Sequence, residues 1–146
     1  MANYQKIVVG TDGSKSSLLA VERAASLAAA FDATLVVGCA FYESAEDASQ
    51  TLRQDSVQVL GDSVAQSNLA AAKEAAEAAG ATKVETELRS GSPVNVLMAL
   101  VNDHQADLLV VGNRGINSLT GRLLGSVPAD AARQSDCDVM IVHTVD

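Results

Sequence analysis

The sequence predicts an α/β fold: a single domain, residues 1–146, built on a five-stranded parallel sheet, doubly wound and Rossmann-like. Three observations lead there. Short β-branched runs alternate with longer segments of helical period in the order β-α-β-α-β-α-β-α-β, the pattern of a sheet wound by right-handed crossovers. Most of those runs are apolar throughout, as strands covered on both faces are. A chain of 146 residues with 48% hydrophobic and 19% charged residues suits one globular core that needs no staples.

The elements can be taken in chain order. Lys6 to Gly10 is a β-branched run that stops at Gly, read as a buried strand. Thr11-Asp12-Gly13-Ser14 is a turn, and Leu18, Val21, Ala25 and Ala28 then mark one face of a helix. Thr34 to Ala40 is a second buried strand. Glu43 to Asp55 is acidic and polar without period, a surface loop. Leu60, Val64, Ala71 and Ala75 give the inner face of an alanine-rich helix, with Gly80 placed to end it. Val84 to Arg89 alternates, which predicts an edge strand with one wetter face. Ser92 as N-cap and Pro93 at the first helical position open the next helix, with Val94, Leu97, Met98 and Val101 inward. Asp107 to Gly112 is the most apolar strand, a glycine-rich loop comes next, a helix runs from Ser126 to about Gln134, and Val139 to Val142 is the last strand.

Composition narrows the function classes. Ten Lys and Arg against eighteen Asp and Glu give a net charge of −8, a field that repels a nucleic-acid backbone. Aromatics are 3% with no Trp, which offers few surfaces for base stacking. Cys39 and Cys137 are too few and too far apart for a disulfide framework or a zinc site. His104 and His143 stand apart from any Cys/His/Asp cluster. The first residues carry no signal-peptide pattern, and the longest apolar run, Leu35 to Tyr42, falls far short of the roughly 20 residues a spanning helix needs. The expectation is a cytoplasmic protein with no nucleic-acid or membrane partner.

In doubly wound sheets, ligands sit beyond the strand C-termini where the strand order reverses. Two strands end in glycine there: the first at Gly10 and the fourth at Gly112. Gly112, Gly115, Gly125 and Ser126 fall as G-x2-G-x9-G-S. Glycines let backbone N–H groups approach a ligand, and Ser126 opens a helix whose dipole favours an anion. Neither a P-loop nor a dinucleotide fingerprint is present. Spacing alone leaves open whether this is a phosphate cradle or a long flexible loop.

Gly112 to Ser126 resembles, position for position, the nucleotide motif of the universal stress protein family. Val8 to Ser14 resembles that family's first strand and turn, Gly125-Ser126-Val127-Pro128 its helix start and Asp138 to Val142 its closing strand. The resemblance covers essentially the whole chain, apart from the Glu43–Asp55 loop. It implies a sheet of the adenine nucleotide alpha hydrolase-like type and a homodimer paired through the last strand, Val139–Val142. It also implies an adenine nucleotide as ligand, ATP or cyclic AMP, the chain being similar to actinobacterial members that bind cyclic AMP; Mg²⁺ would arrive with ATP. Carried over by position, Asp12 would lie near ribose and phosphates, Gly10 and Thr11 would line the turn, and Ala40 would offer backbone groups to the adenine edge. Val111 would pack on the base, and Gly112, Gly115, Gly125, Ser126 and Val127 would surround ribose and phosphates. Arg114 departs from the small or neutral residue common in this branch: it either reaches a phosphate or is solvated. Arg122 is read as solvated.

Three functions compete. The first is a nucleotide-binding regulatory protein of the stress response. The second is a slow Mg²⁺-dependent ATPase or phosphotransferase with Asp12 as metal ligand, although no nucleophile–base pair stands out. The third is a dimeric scaffold with a vestigial loop. The negative field mildly favours the less charged cyclic nucleotide over a triphosphate.

Overall fold

The computed structural model describes residues 3–42, 62–113 and 126–144. The elements are β1 (Lys6–Gly10), α1 (Lys15–Phe31), β2 (Thr34–Phe41), α2 (Asp62–Ala78), β3 (Val84–Ser90), α3 (Pro93–His104), β4 (Leu108–Gly112), α4 (Ser126–Gln134) and β5 (Asp138–Val142). The five strands form one parallel sheet in the order β3-β2-β1-β4-β5. The chain winds outward from β1 to β3, then crosses back to β4 and continues to β5. Reversing direction under a right-handed crossover rule puts the helices before the reversal, α1 and α2, on one face and those after it, α3 and α4, on the other. Ile7, Val9, Leu35, Val37, Leu108 and Val110 accordingly pack with residues of α1 and α2, whereas Val8, Val36, Leu109 and Val111 pack with α3 and Ala131 of α4.

Local chemistry sets the helix limits. Ser14 caps α1 by accepting the N–H of Ser17, and Ser92 caps α3 by accepting that of Asn95, with Pro93 at the first turn. The sequence reading missed two ends. Asp32 and Gln105 close α1 and α3 in the left-handed conformation, φ 54° and 51°, each returning its N–H to the last turn. Gly80 comes after α2 as expected and carries a positive φ.

Two inner faces differ from expectation. In α2 the buried residues are Ala65, Leu69, Ala72 and Ala76, while Val64 is 50% exposed; Leu60 lies outside the described residues. Seven of the 17 residues of this helix are alanine, so its apolar period is degenerate and close packing against α1 selects the face with the small residues. In α3 the buried face is Val96, Leu97, Leu100 and Val101, with Val94 and Met98 only half-buried. The strands fall where expected, and β3 is an edge.

Candidate functional site

The sheet opens at its C-terminal end. The β1–β4 ladder ends at the Val9–Val110 pair, and β1 and β4 part beyond it. This is where strand order reverses, the place where such sheets hold ligands. On the other side, the β1–β2 ladder ends at Gly10–Gly38, and the N–H of Thr11 donates to the carbonyl of Gly38 at 2.9 Å. The next residues of β2 run on alone on that side. The carbonyl of Phe41 accepts from the N–H of Gly91, towards β3. Backbone groups of successive strand residues point to opposite sides, so the N–H and C=O of Ala40 point to the side that β1 has vacated.

The turn after β1 is tightly built. Thr11 is buried; its Oγ1 accepts the N–H of Gly13 at 3.2 Å and lies 3.1 Å from Oγ of Ser17. Asp12 is half-buried, and its Oδ1 accepts the N–H of Ser14 at 2.9 Å, which closes an Asx turn. Gly13 has φ +85°, and a Cβ there would stand 2.6 Å from Oδ1 of Asn68 on α2, so both its conformation and its surroundings require glycine. Asn68 also hydrogen-bonds the thiol of Cys39. Burial pushes that thiol up to about 11; the Asn68 bond pulls it down and the Asp12 charge raises it. Cys39 is therefore a protonated, buried group beneath the turn.

The β4 side closes with Val111, buried among the α3-side apolar residues, and Gly112. A Cβ on Gly112 would meet Ser16 Oγ at 2.8 Å, so the start of α1 sits hard against the end of β4. Ser126 and Val127 are the first residues of α4. Arg114, Gly115, Arg122 and Gly125 lie outside the described residues, as does the Glu43–Asp55 loop. The structure thus gathers Gly10, Thr11, Asp12, Ala40, Val111 and Gly112 at one end of the sheet. It adds Asn68, Asn113 and Thr144, which sequence reasoning did not single out. Only Asn113 had a signal, its place between two motif glycines.

The universal stress protein family model matches residues 3–143. The chain belongs to the universal stress protein family. A universal stress protein of Mycobacterium tuberculosis, Rv1636, is 47% identical over 146 residues, 99% of each chain. A solved universal stress protein in complex with cAMP is 44% identical, with a TM-score of 0.79 over 99% of this chain and 100% of that one. The protein UspA from Lactobacillus plantarum, 23% identical, shares the fold with a TM-score of 0.73 over 97% of this chain and 99% of its own. Among the described residues of this universal stress protein, no helix is long and apolar enough to cross a membrane.

Proposed function

We propose that this universal stress protein binds an adenine nucleotide, ATP or cyclic AMP, in the opening between β1 and β4, and acts as a cytoplasmic regulatory protein of the stress response. The observation that carries the reading is the 44%-identical family member solved with cAMP, taken with an opening at the strand-order reversal, where such sheets hold ligands. The residues present suit such a ligand. Ala40 turns a backbone donor and acceptor towards the opening, as recognition of a purine edge requires. Asp12 brings a carboxylate that ribose hydroxyls can donate to. Gly112, Gly115, Gly125, Ser126 and Val127 supply backbone N–H groups and a helix start for phosphate. Val111 would back the base, and Arg114 is a cation inside the motif, between Gly112 and Gly115. If ATP is the ligand, Mg²⁺ comes with it and neutralises charge that this acidic chain otherwise repels.

Residues 1–146 act in this reading as one domain that pairs with a second copy through β5. Support comes from the topology. β5 is a sheet edge, and its Val139, Met140 and Ile141 are only half-buried, the profile of a strand that another chain covers.

The test is Gly115→Val. A branched side chain at a motif glycine blocks close approach of backbone to phosphate. Adenine-nucleotide binding should be lost while the circular dichroism of the fold is kept. Unchanged binding by the variant would overturn the reading.

A further inference from the structure

Asn113 sits directly after Gly112, at a position that the G-x2-G spacing leaves unspecified. Its side chain nonetheless has partners at both its oxygen and its nitrogen. It is 8% exposed. Oδ1 accepts both the backbone N–H of Thr144, at 3.1 Å, and its hydroxyl, at 2.8 Å. Nδ2 lies 3.2 Å from Nδ1 of His143. Since the Thr144 hydroxyl gives its proton to Asn113, it accepts one from Oγ of Ser16 on the first turn of α1.

The partners fix the orientation of the amide. Turned over, its NH2 would face the N–H of Thr144, donor against donor. With Oδ1 held by Thr144, Nδ2 must donate and His143 Nδ1 must accept. The imidazole then carries its proton on Nε2.

We infer that Asn113 is a positioning residue of the nucleotide site. It ties three pieces of chain together: the point where β4 gives way to the glycine-rich loop, the segment just after β5, and, through Thr144, the first turn of α1. That turn lies two residues beyond Ser14, whose N–H closes the Asp12 turn. A ligand that needs Asp12 and Gly112 together therefore finds them at a set separation, with the ordering cost already met in the free protein. Asn113 sets nucleotide affinity without touching nucleotide. The inference rests on the nucleotide reading above.

The experiment compares calorimetric titrations of wild type, Asn113→Leu, Thr144→Val and Thr144→Ser with ATP–Mg²⁺ and with cyclic AMP. Asn113→Leu keeps the volume and removes the three bonds, and it should weaken binding by about tenfold, the equivalent of one to two hydrogen bonds. Thr144→Val should weaken it several-fold, and Thr144→Ser, which keeps the hydroxyl, should bind as wild type does. Variants with wild-type affinity would overturn the inference and leave the nucleotide reading standing; a wild type silent with both nucleotides would overturn both. Nitrogen-15 NMR of His143 supplies a readout independent of ligand and of variant folding. The wild-type ring should hold its proton on Nε2, and Asn113→Asp, which sets a carboxylate oxygen against Nδ1, should move a proton there. A wild-type ring protonated on Nδ1, or averaging between the two tautomers, would overturn the inference.

Discussion

Gly10 and Gly38 stand opposite one another in the last pair of the β1–β2 ladder, and the space of their missing side chains is filled from α3. A Cβ on Gly10 would stand 2.9 Å from Leu97, and one on Gly38 2.3 Å from Leu100. These leucines are one turn apart on the helix, so the glycine pair lets α3 press against the sheet just below its C-terminal end. The same pair ends the ladder and starts the opening.

Gly38→Ala tests that packing. Leu100 is fully buried, so the new methyl must displace its Cδ1 within a packed core. The expected loss is about 1–3 kcal/mol, read from the midpoint of a urea titration. A variant as stable as wild type would show that α3 can slide.

Asp12 has two roles that one pair of variants separates. Asn at this position keeps an oxygen for the N–H of Ser14 and removes the charge; Ala removes both. If the carboxylate meets the ligand, Asp12→Asn weakens nucleotide binding while its melting temperature stays near that of wild type. Asp12→Ala should also cost about 1 kcal/mol of stability for the lost turn bond. Unchanged affinity in Asp12→Asn would reduce Asp12 to a turn residue.

The two thiols should differ in reactivity. With Cys39 buried and its thiol pushed up to about 11, almost no thiolate is present at pH 8, whereas Cys137 is only half-buried. An alkylating reagent should modify one thiol per native chain, at Cys137, and two after denaturation, as mass spectrometry of peptides would show. Fast native labelling of Cys39 would contradict the packing of Asn68 and the turn above it.

On the far edge, Glu87 of β3 accepts from Nε2 of His104 and from Arg89, which also pairs with Asp103 at 2.6 Å. Burial pushes the Glu87 carboxyl up, but the His104 and Arg89 contacts outweigh it and hold it below its ordinary value of 4.5. A lowered carboxylate contributes stability above that ordinary value and loses it as pH falls through the lowered folded value. Glu87→Gln should therefore be less stable than wild type at pH 7, by a few tenths to about 1 kcal/mol for such a part-exposed pair. The difference should shrink below pH 4.5, which thermal melts at several pH values would track. A difference that is constant with pH would remove the ionic origin.

The strands were legible in the sequence because their apolar runs are short and end in turn residues: Gly10 and Gly112 both mark ladder ends. The turn chemistry of Asp12, Gly13 and Ser14 was legible for the same local reason. Helix faces were less so. In α2, Ala71 and Ala72 or Ala75 and Ala76 are interchangeable to a periodicity count, and contact with α1, β2 and β3 separates them. The caps at Asp32 and Gln105 were missed because a left-handed conformation at a residue other than glycine is selected by the next residue along the chain, here Ala33 and Ala106 bonding back to the helix. The Asn113–Thr144 clasp joins residues 31 apart in sequence, and no local pattern announces such a pair.

The measurement that bears most directly on the nucleotide reading is calorimetric titration of the nucleotide-stripped protein with ATP–Mg²⁺ and with cyclic AMP, side by side. Saturable binding of at least one adenine nucleotide, abolished in Gly115→Val, is the expected result, and preference for cyclic AMP would agree with the negative field of the chain. No heat and no competition with either nucleotide would contradict the reading.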